Sequence, residues 1–560
     1  MLAPRSSQGV KWGIIGIMVD PDNDKVTYFA ETDSRGKRVR FGIKSQDRLK
    51  HIYVIGKTGM GKSTLLENMA IQDIQNGNGV AFLDPHGGTA EKLLEYIPEE
   101  RVKDVLYFAP FDLDYPVSFN IMEDIGIDKR HLVVNGLMSA FKKLFGEESF
   151  SDRMQYILQN TILALLEYPG ATLLGINRML VDKDYRNKVI ANVTDPSVKT
   201  YWTKEYAGYT ERFAAEAIPA IQNKIGQFTS NPLVRNIIGQ TKSSFDLREI
   251  MDNKKIFIAN LSKGRVGEGN ANLLGSMLIT KIYLAAMSRA EKSGATLNKL
   301  PNFYLYVDEF QSFANESFAD ILSEARKYKL SLTLTHQYIE QMEEEVRDAV
   351  FGNVGTTITF RVGAFDADIL EKEFAPIFLA EDLVNLGLRQ IYLKLMIDGI
   401  GSQPFSATTI PPIDPPKISY VEEIIKSSRE TFAQPRSEVE KRIIDWHEEG
   451  QVAVKMPAPK ASAPSQVVRP IVQPSPSRLP EKKPFPSISL GSLNAKANNQ
   501  RKPDAKHISD LRDALKAVVG NRPTTNNPQP TTAKPIPSAK PLEPNKEASP
   551  EELKKILDVQ

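Results

Sequence analysis

The run Gly56-Lys-Thr-Gly-Met-Gly-Lys62-Ser63 has the spacing G-x-x-x-x-G-K-[ST]. It lies where phosphate binding requires it, after the apolar strand Ile52-Tyr-Val-Ile55 and at the start of the helical run Ser63 to Gln75. Glycines let backbone N–H groups turn inward around phosphates, and the helix N-terminus adds the positive end of its dipole. Lys62 is placed to reach the β and γ phosphates, and Ser63 to ligate Mg²⁺. Gly56, Lys57, Thr58, Gly59, Met60, Gly61, Lys62, Ser63 and Thr64 therefore form the candidate cradle, with ATP and Mg²⁺ as its ligands. The competing reading is a fortuitous Gly/Ser loop.

A second constellation is Phe303-Tyr-Leu-Tyr-Val-Asp308-Glu309, an apolar strand ending in two acids. Beside a phosphate loop, Asp308 would hold the magnesium through water and Glu309 would orient and deprotonate the attacking water, which favours hydrolysis over simple nucleotide binding. Alone, such a pair would read equally well as solvated strand-end acids. Leu261-Ser-Lys263-Gly-Arg265 follows another strand, and its two cations beside glycine suit a loop contacting nucleic-acid phosphates. A solvated turn explains it as well. Arg361 ends a further strand and is a candidate nucleotide or interface arginine.

The elements that must carry these residues follow from pattern. Ile52–Ile55, a helix, then Val80-Ala-Phe-Leu83 make a βαβ unit and hence a parallel sheet covered by helices. Alternation at Val26, Tyr28, Ala30 and at Val39, Phe41, Ile43 predicts two short strands around a turn at Ser34-Arg-Gly36. Leu132, Val133, Leu137, Met138, Phe141, Leu144 and Phe145 recur at helical spacing, as do Met154, Ile157, Leu158, Ile162, Leu165 and Leu166. No strand-like run appears until Ile256-Phe-Ile-Ala259, so 128–245 is predicted to be an all-helical insertion, which explains the long separation of Lys62 from Asp308. Strands are predicted to return at 256–260, 303–307, 330–335 and 356–361. After the Pro-rich stretch 411–416, two helices are predicted with capping boxes at Ser419/Glu422 and Ser437/Glu440.

Composition narrows the chemistry further. The 560 residues contain no cysteine, which excludes disulfides, thiolate metal sites and cysteine nucleophiles, and the six histidines lack metal-ligand spacing. The net charge of +2 hides an asymmetry. Residues 451–560 hold 18 Lys+Arg against 9 Asp+Glu, 18 of the 36 prolines and one aromatic residue, Phe485. That composition buries too little apolar surface to offset chain entropy and predicts a disordered basic tail, with short helix candidates at 507–519 and 549–558. The remaining residues carry about −7, so a nucleic-acid contact would have to come from local loops and not from a global positive field. The apolar runs 10–19 and 273–288 are too short or carry Lys281, so no membrane helix and no signal peptide is expected.

Taken together, the phosphate loop, Leu83-Asp84-Pro85-His86-Gly87, the helical insertion, Val307-Asp-Glu-Phe310 and Thr335-His-Gln337 resemble the conjugative coupling proteins of type IV secretion, within the FtsK-HerA superfamily of DNA-pumping ATPases. The resemblance spans roughly 38–415. It implies a RecA-like P-loop NTPase domain with an inserted all-α domain; with the small N-terminal β-element and the disordered basic C-terminal tail read above from pattern and composition, the fold class is α/β, and the tail departs from the family. The corresponding boundaries are a β-rich element at 1–45, the motor domain at 46–127 and 246–415, the all-α domain at 128–245, C-terminal helices at 416–450 and the tail at 451–560. It implies Gln337 as a γ-phosphate sensor and Arg326, in Ala325-Arg-Lys-Tyr328 on the helix after the acid pair, as an arginine finger reaching a neighbouring subunit. The bland alternatives are a polar strand-end residue and a solvated helix residue. Asp84 and His86 are read either as turn-formers or as nucleotide contacts. Coupling proteins usually carry N-terminal transmembrane helices, and this sequence departs from them there.

The expected activity is that of a ring-forming ATPase, a hexamer by resemblance, that pumps DNA to a type IV secretion or conjugation channel, with Lys263 and Arg265 as candidate DNA contacts. Its expected partners are DNA, a relaxase, secretion-channel ATPases and inner-membrane subunits. The expected location is cytoplasmic, or peripheral at the cytoplasmic face of the inner membrane through partners. Two other readings stay open: a HerA-like translocase in repair or segregation, and a nucleotide-gated receptor that docks protein substrates to a secretion machine.

Overall fold

The structure, a computed structural model, describes residues 25–449 apart from 33–36, 124–125 and 315–316. The tail predicted over 451–560, with its two helix candidates, and the apolar run 10–19 lie outside the described residues. Among the described residues there are thirteen strands: β1 (Val26–Thr32), β2 (Arg40–Lys44), β3 (Ile52–Ile55), β4 (Gly79–Asp84), β5 (Val105–Phe108), β6 (Ile256–Asn260), β7 (Phe303–Val307), β8 (Leu330–His336), β9 (Thr356–Thr359), β10 (Gln390–Lys394), β11 (Met396–Ile397), β12 (Ile400–Gly401) and β13 (Phe405–Thr409). Eleven of them form one sheet in the order β2-β1-β13-β10-β9-β3-β8-β7-β4-β6-β5, and β11 pairs with β12 apart from it.

From β9 to β5 every pairing is parallel. These strands are buried on both faces, which is why they read as continuous apolar runs and not as alternating ones. The alternation survives in where each side chain goes. Tyr53, Ile55, Ala81, Leu83, Leu305 and Val307 join one core. Ile52, Val54, Val80, Phe82, Tyr304 and Tyr306 join the other. The first core is completed by helical residues such as Val133, Leu137, Phe141, Ile157 and Leu165, the second by Leu65, Leu66, Met69 and Ile74 of the helix Lys62–Gln75.

Among the described residues no strand lies between β5 and β6; that stretch is helical from Arg130–Phe145 through Leu247–Asp252. Its first helix packs against Glu268–Met287 so closely that a Cβ on Gly136 would come within 2.6 Å of Thr280. The run Glu268–Glu291 is long and apolar enough to cross a membrane by length and composition, yet 72% of its apolar window is buried in protein. It is the core helix predicted around 273–288, starting earlier, at Glu268.

The N-terminal strands form the expected antiparallel pair and join the edge of the same sheet through β13. Strands β10 and β13 were not foreseen: they extend the sheet antiparallel from β9. Three further expectations are corrected. The strand predicted at 356–361 stops at Thr359, because the chain then turns to the phosphate loop, with Phe360 N–H donating to Ile55 O and Arg361 O accepting from Lys57 N. The two C-terminal helices exist as Val421–Phe432 and Arg436–Glu448, but neither has a capping box: their caps are Tyr420 and Pro435, without side-chain hydrogen bonds. Glu440 is instead engaged by Arg436 at 2.8 Å and Asn236 at 3.2 Å. Finally, Arg326 is not on the helix after the acid pair; Ser317–Glu324 ends before it, and it lies in the 3₁₀ turn Ala325–Tyr328.

Candidate active site

The carboxyl ends of β3, β4, β7 and β8 lie side by side, the edge at which open α/β sheets bind ligands. β3 runs into the glycine-rich loop, which opens the helix Lys62–Gln75. Gly59 and Gly61 have φ of 78° and 118°, a left-handed path that other residues resist. Gly56 faces a different constraint: a Cβ there would meet the Phe360 Cβ at 2.5 Å. The loop is thus held against the segment after β9.

Lys62 is buried at the mouth of the loop, its Nζ 2.7 Å from Gly56 O, 3.4 Å from Lys57 O and 4.0 Å from Glu309 Oε1. Burial lowers its pKa, and the Glu309 and Asp308 charges oppose that shift. Ser63 Oγ donates to Asp308 Oδ2 at 3.2 Å, so the two predicted magnesium residues come together across the sheet edge. Asp308 is buried, and its carboxyl is pushed above the usual range by that burial and by the neighbouring charges of Asp84 and Glu309, against a Thr335 hydrogen bond and the Lys62 charge. A hydroxyl and a carboxylate facing each other in an acid-rich recess fit a hard, oxygen-seeking divalent cation, and Mg²⁺ needs few protein ligands when phosphates supply others. Among the described residues no group of three or more His, Asp or Glu forms an all-protein metal cage.

The acid pair is organised by a residue that sequence reasoning quoted without a role. The Thr335 hydroxyl, at the end of β8, donates to Asp308 Oδ1 and accepts the Glu309 N–H at 3.0 Å. Glu309 itself has φ of 47°, so the chain turns sharply as it leaves β7. Gln337, just past β8, donates to Thr58 Oγ1 of the phosphate loop at 2.5 Å. The structure therefore brings Lys62, Ser63, Asp308, Glu309 and Gln337 to one place.

The other candidates take different places, Asp84 and Arg361 staying beside the site. Asp84 Oδ1 accepts His86 N–H at 2.8 Å and Oδ2 accepts Ala90 N–H at 2.9 Å, so Asp84 shapes the turn into the helix Gly88–Glu95, while the His86 side chain is exposed. Lys263 and Arg265 sit beyond β6 and each has an acidic partner, Glu268 at 3.1 Å and Glu91 at 3.0 Å. Arg361 is exposed beside the loop, contributing its carbonyl to Lys57 N–H. Arg326 lies at the opposite edge, before the start of β8, where burial and the Arg326 charge hold His51 down to about 4. The seven residues of β8 put roughly 20 Å between it and its own chain's site.

Arg389 was missed altogether. Its N–H donates to Met60 O at 3.3 Å, and its Cγ is 3.7 Å from where a Gly61 Cβ would be. Only the placement of β10 beside β9 brings it there, and no local sequence signal announces that.

Known structures share this architecture. The plasmid coupling protein TrwB in complex with the non-hydrolysable GTP analogue GDPNP matches over 68% of this chain and 88% of that one, with 14% identity and a TM-score of 0.50. The same protein in complex with ADP and Mg²⁺ matches over 71% and 98%, with 13% identity and a TM-score of 0.50. At such identities the likeness is one of fold. No curated protein matches the sequence. The family description that fits is "Type IV secretion-system coupling protein DNA-binding domain", and it covers residues 40–368. With more than half of its length matched, and with the phosphate loop and acid pair inside the match, the chain belongs to the type IV secretion-system coupling protein family.

Proposed function

We propose that this protein hydrolyses ATP with Mg²⁺, assembles as a hexameric ring and moves DNA to a type IV secretion or conjugation channel. The observation that carries the reading is the meeting of Lys62, Ser63, Asp308, Glu309 and Gln337 at one sheet edge. Loop N–H groups and Lys62 would grip the β and γ phosphates, and Glu309 would orient and deprotonate the attacking water. Ser63 and Asp308 would hold Mg²⁺, which when bound neutralises phosphate charge. Gln337, whose hydrogen bond to Thr58 ties it to the loop, would report the γ-phosphate. TrwB has been seen with ADP and Mg²⁺, which supports the same ligands here.

DNA contact is assigned to loops such as Lys263-Gly-Arg265, with Arg326 serving the next subunit's site. The partners that fit are a relaxase, channel ATPases and inner-membrane subunits, at the cytoplasmic face of that membrane. The test is ATP hydrolysis with and without single-stranded and duplex DNA over a salt series. DNA stimulation that falls steeply with salt is expected, since phosphate contacts release counterions. Hydrolysis indifferent to DNA, with binding to a protein substrate, would replace the motor by a docking receptor.

A further inference from the structure

Gln311 lies two residues beyond Glu309, in the 3₁₀ turn Phe310–Ser312. Its Nε2 donates to Glu309 Oε2 at 2.5 Å, while its own Oε1 is buried with no hydrogen-bond partner among the described residues. Glu309 Oε1 meanwhile faces Lys62 at 4.0 Å. One carboxylate oxygen is therefore hydrogen-bonded to the amide, and the other faces the Lys62 charge at ion-pair distance. A carboxylate oxygen already taken by an amide donor is not free to accept a hydrogen bond from an attacking water along that direction.

The turn is held from three directions. Lys143, from the helical region, donates its Nζ to Gln311 O and Ala314 O. Ser276 Oγ donates to Phe313 O at 3.0 Å. Lys263, in the loop after β6, donates to Ser312 Oγ at 3.0 Å as well as pairing with Glu268. One cation placed to meet DNA is thus bonded to the segment that carries the amide on Glu309.

We infer that Gln311 is a brake on hydrolysis: its amide holds Glu309 off the attacking water, and the turn lets go when a DNA phosphate draws Lys263 away from Ser312. The trigger rests on the DNA-motor reading above; the clasp between Gln311 and Glu309 does not. An amide with an orphaned buried carbonyl is a clasp with a nearby alternative, because release lets that carbonyl find a partner.

The experiment is steady-state ATP hydrolysis by the full chain with Mg²⁺, with and without saturating DNA. Gln311→Met keeps the side-chain length and loses the donor; Gln311→Glu loses the donor in a polar side chain, so one variant covers a folding failure of the other. In each, kcat without DNA should rise on the order of tenfold, the worth of one hydrogen bond to a charged group. KM for ATP should not change, and the stimulation by DNA should shrink in proportion. Lys263→Met should raise the DNA-free rate in the same direction and remove most of the stimulation. A purely structural role for Gln311 predicts a slower enzyme, not a faster one. An unchanged or lower DNA-free kcat in the folded Gln311 variants overturns the clasp. Full stimulation retained in Lys263→Met overturns the trigger. If the wild-type chain ignores DNA, the motor reading fails, and the DNA-free kcat of the Gln311 variants still decides the clasp.

Discussion

If Arg326 completes a neighbour's active site, catalysis is divided between chains, and the structure sets the size of the effect. Arg326 is exposed before the start of β8, whereas Lys62, Asp308 and Gln337 gather beyond its end. A strand of seven residues spans roughly 20 Å, well beyond the reach of an arginine side chain, so Arg326 has no route to its own site. Arg326→Ala should therefore bind ATP and form rings, yet lose on the order of 10³ to 10⁵ in rate, the contribution of arginine fingers in other phosphoryl-transfer enzymes. Lys62→Ala should also be inactive. In an equal mixture, a working interface needs Lys62 from one chain and Arg326 from the next, and about one quarter of head-to-tail interfaces combine them. Activity should return to about a quarter of the wild-type level if sites fire independently. The assay is phosphate release from co-refolded or subunit-exchanged rings, with mixing verified by tagged copies. Verified mixing without recovery would refute catalysis shared between independently firing sites. Normal activity in Arg326→Ala alone would make it a surface residue and move attention to Arg361 and Arg389.

Glu309→Gln should bind ATP as tightly as the wild type but turn over at a small fraction of its rate; nucleotide binding measured beside phosphate release checks this, and near-normal turnover would remove Glu309 as the base. Arg48 is fully buried against Asp73 at 2.8 Å and also donates to Tyr306 and Thr27, so Asp73→Ala should cost about 3 to 5 kcal/mol by stranding its charge. Arg48→Met with Asp73→Leu should be more stable in chemical denaturation than either single change, since no charge is then left unpaired. His51 is buried with Nδ1 accepting Leu332 N–H at 3.1 Å, and burial, joined by Arg326, lowers its pKa to about 4. As pH falls from 6.5 to about 4 the unfolded chain takes up a proton that the folded chain refuses, removing about 3 kcal/mol; His51→Asn, which keeps an acceptor and tolerates the φ of 63°, should flatten that loss in denaturation measured against pH. Deleting 451–560 should leave hydrolysis intact and weaken partner or nonspecific DNA binding, read by pull-down and by mobility shift, because that stretch contains no residue of the site.

The glycine loop, the acid pair and the strands β3, β4, β6, β7 and β8 were legible because each is a local pattern: a fixed spacing, or an apolar run of the length a doubly covered parallel strand needs. The helical insertion was legible for the same reason, from apolar spacing alone. Strands β5, β10 and β13 were not: β5 is a run of four residues, and β10 and β13, exposed on one face, take their place inside the sheet from pairing with β9 and β1. The missing capping boxes show the converse: Ser419 and Ser437 have the right spacing, but packing starts the helices at Val421 and Arg436. In the site, the sequence by itself determined which groups could do phosphate chemistry. Only the tertiary structure decided that Thr335 fastens Asp308, that Gln311 occupies Glu309, that Arg389 adjoins the loop and that Arg326 faces away from it. These are contacts between residues tens to hundreds of positions apart, or turns whose direction depends on what they pack against, and the order of strands in the sheet, which no local pattern encodes, brings them together.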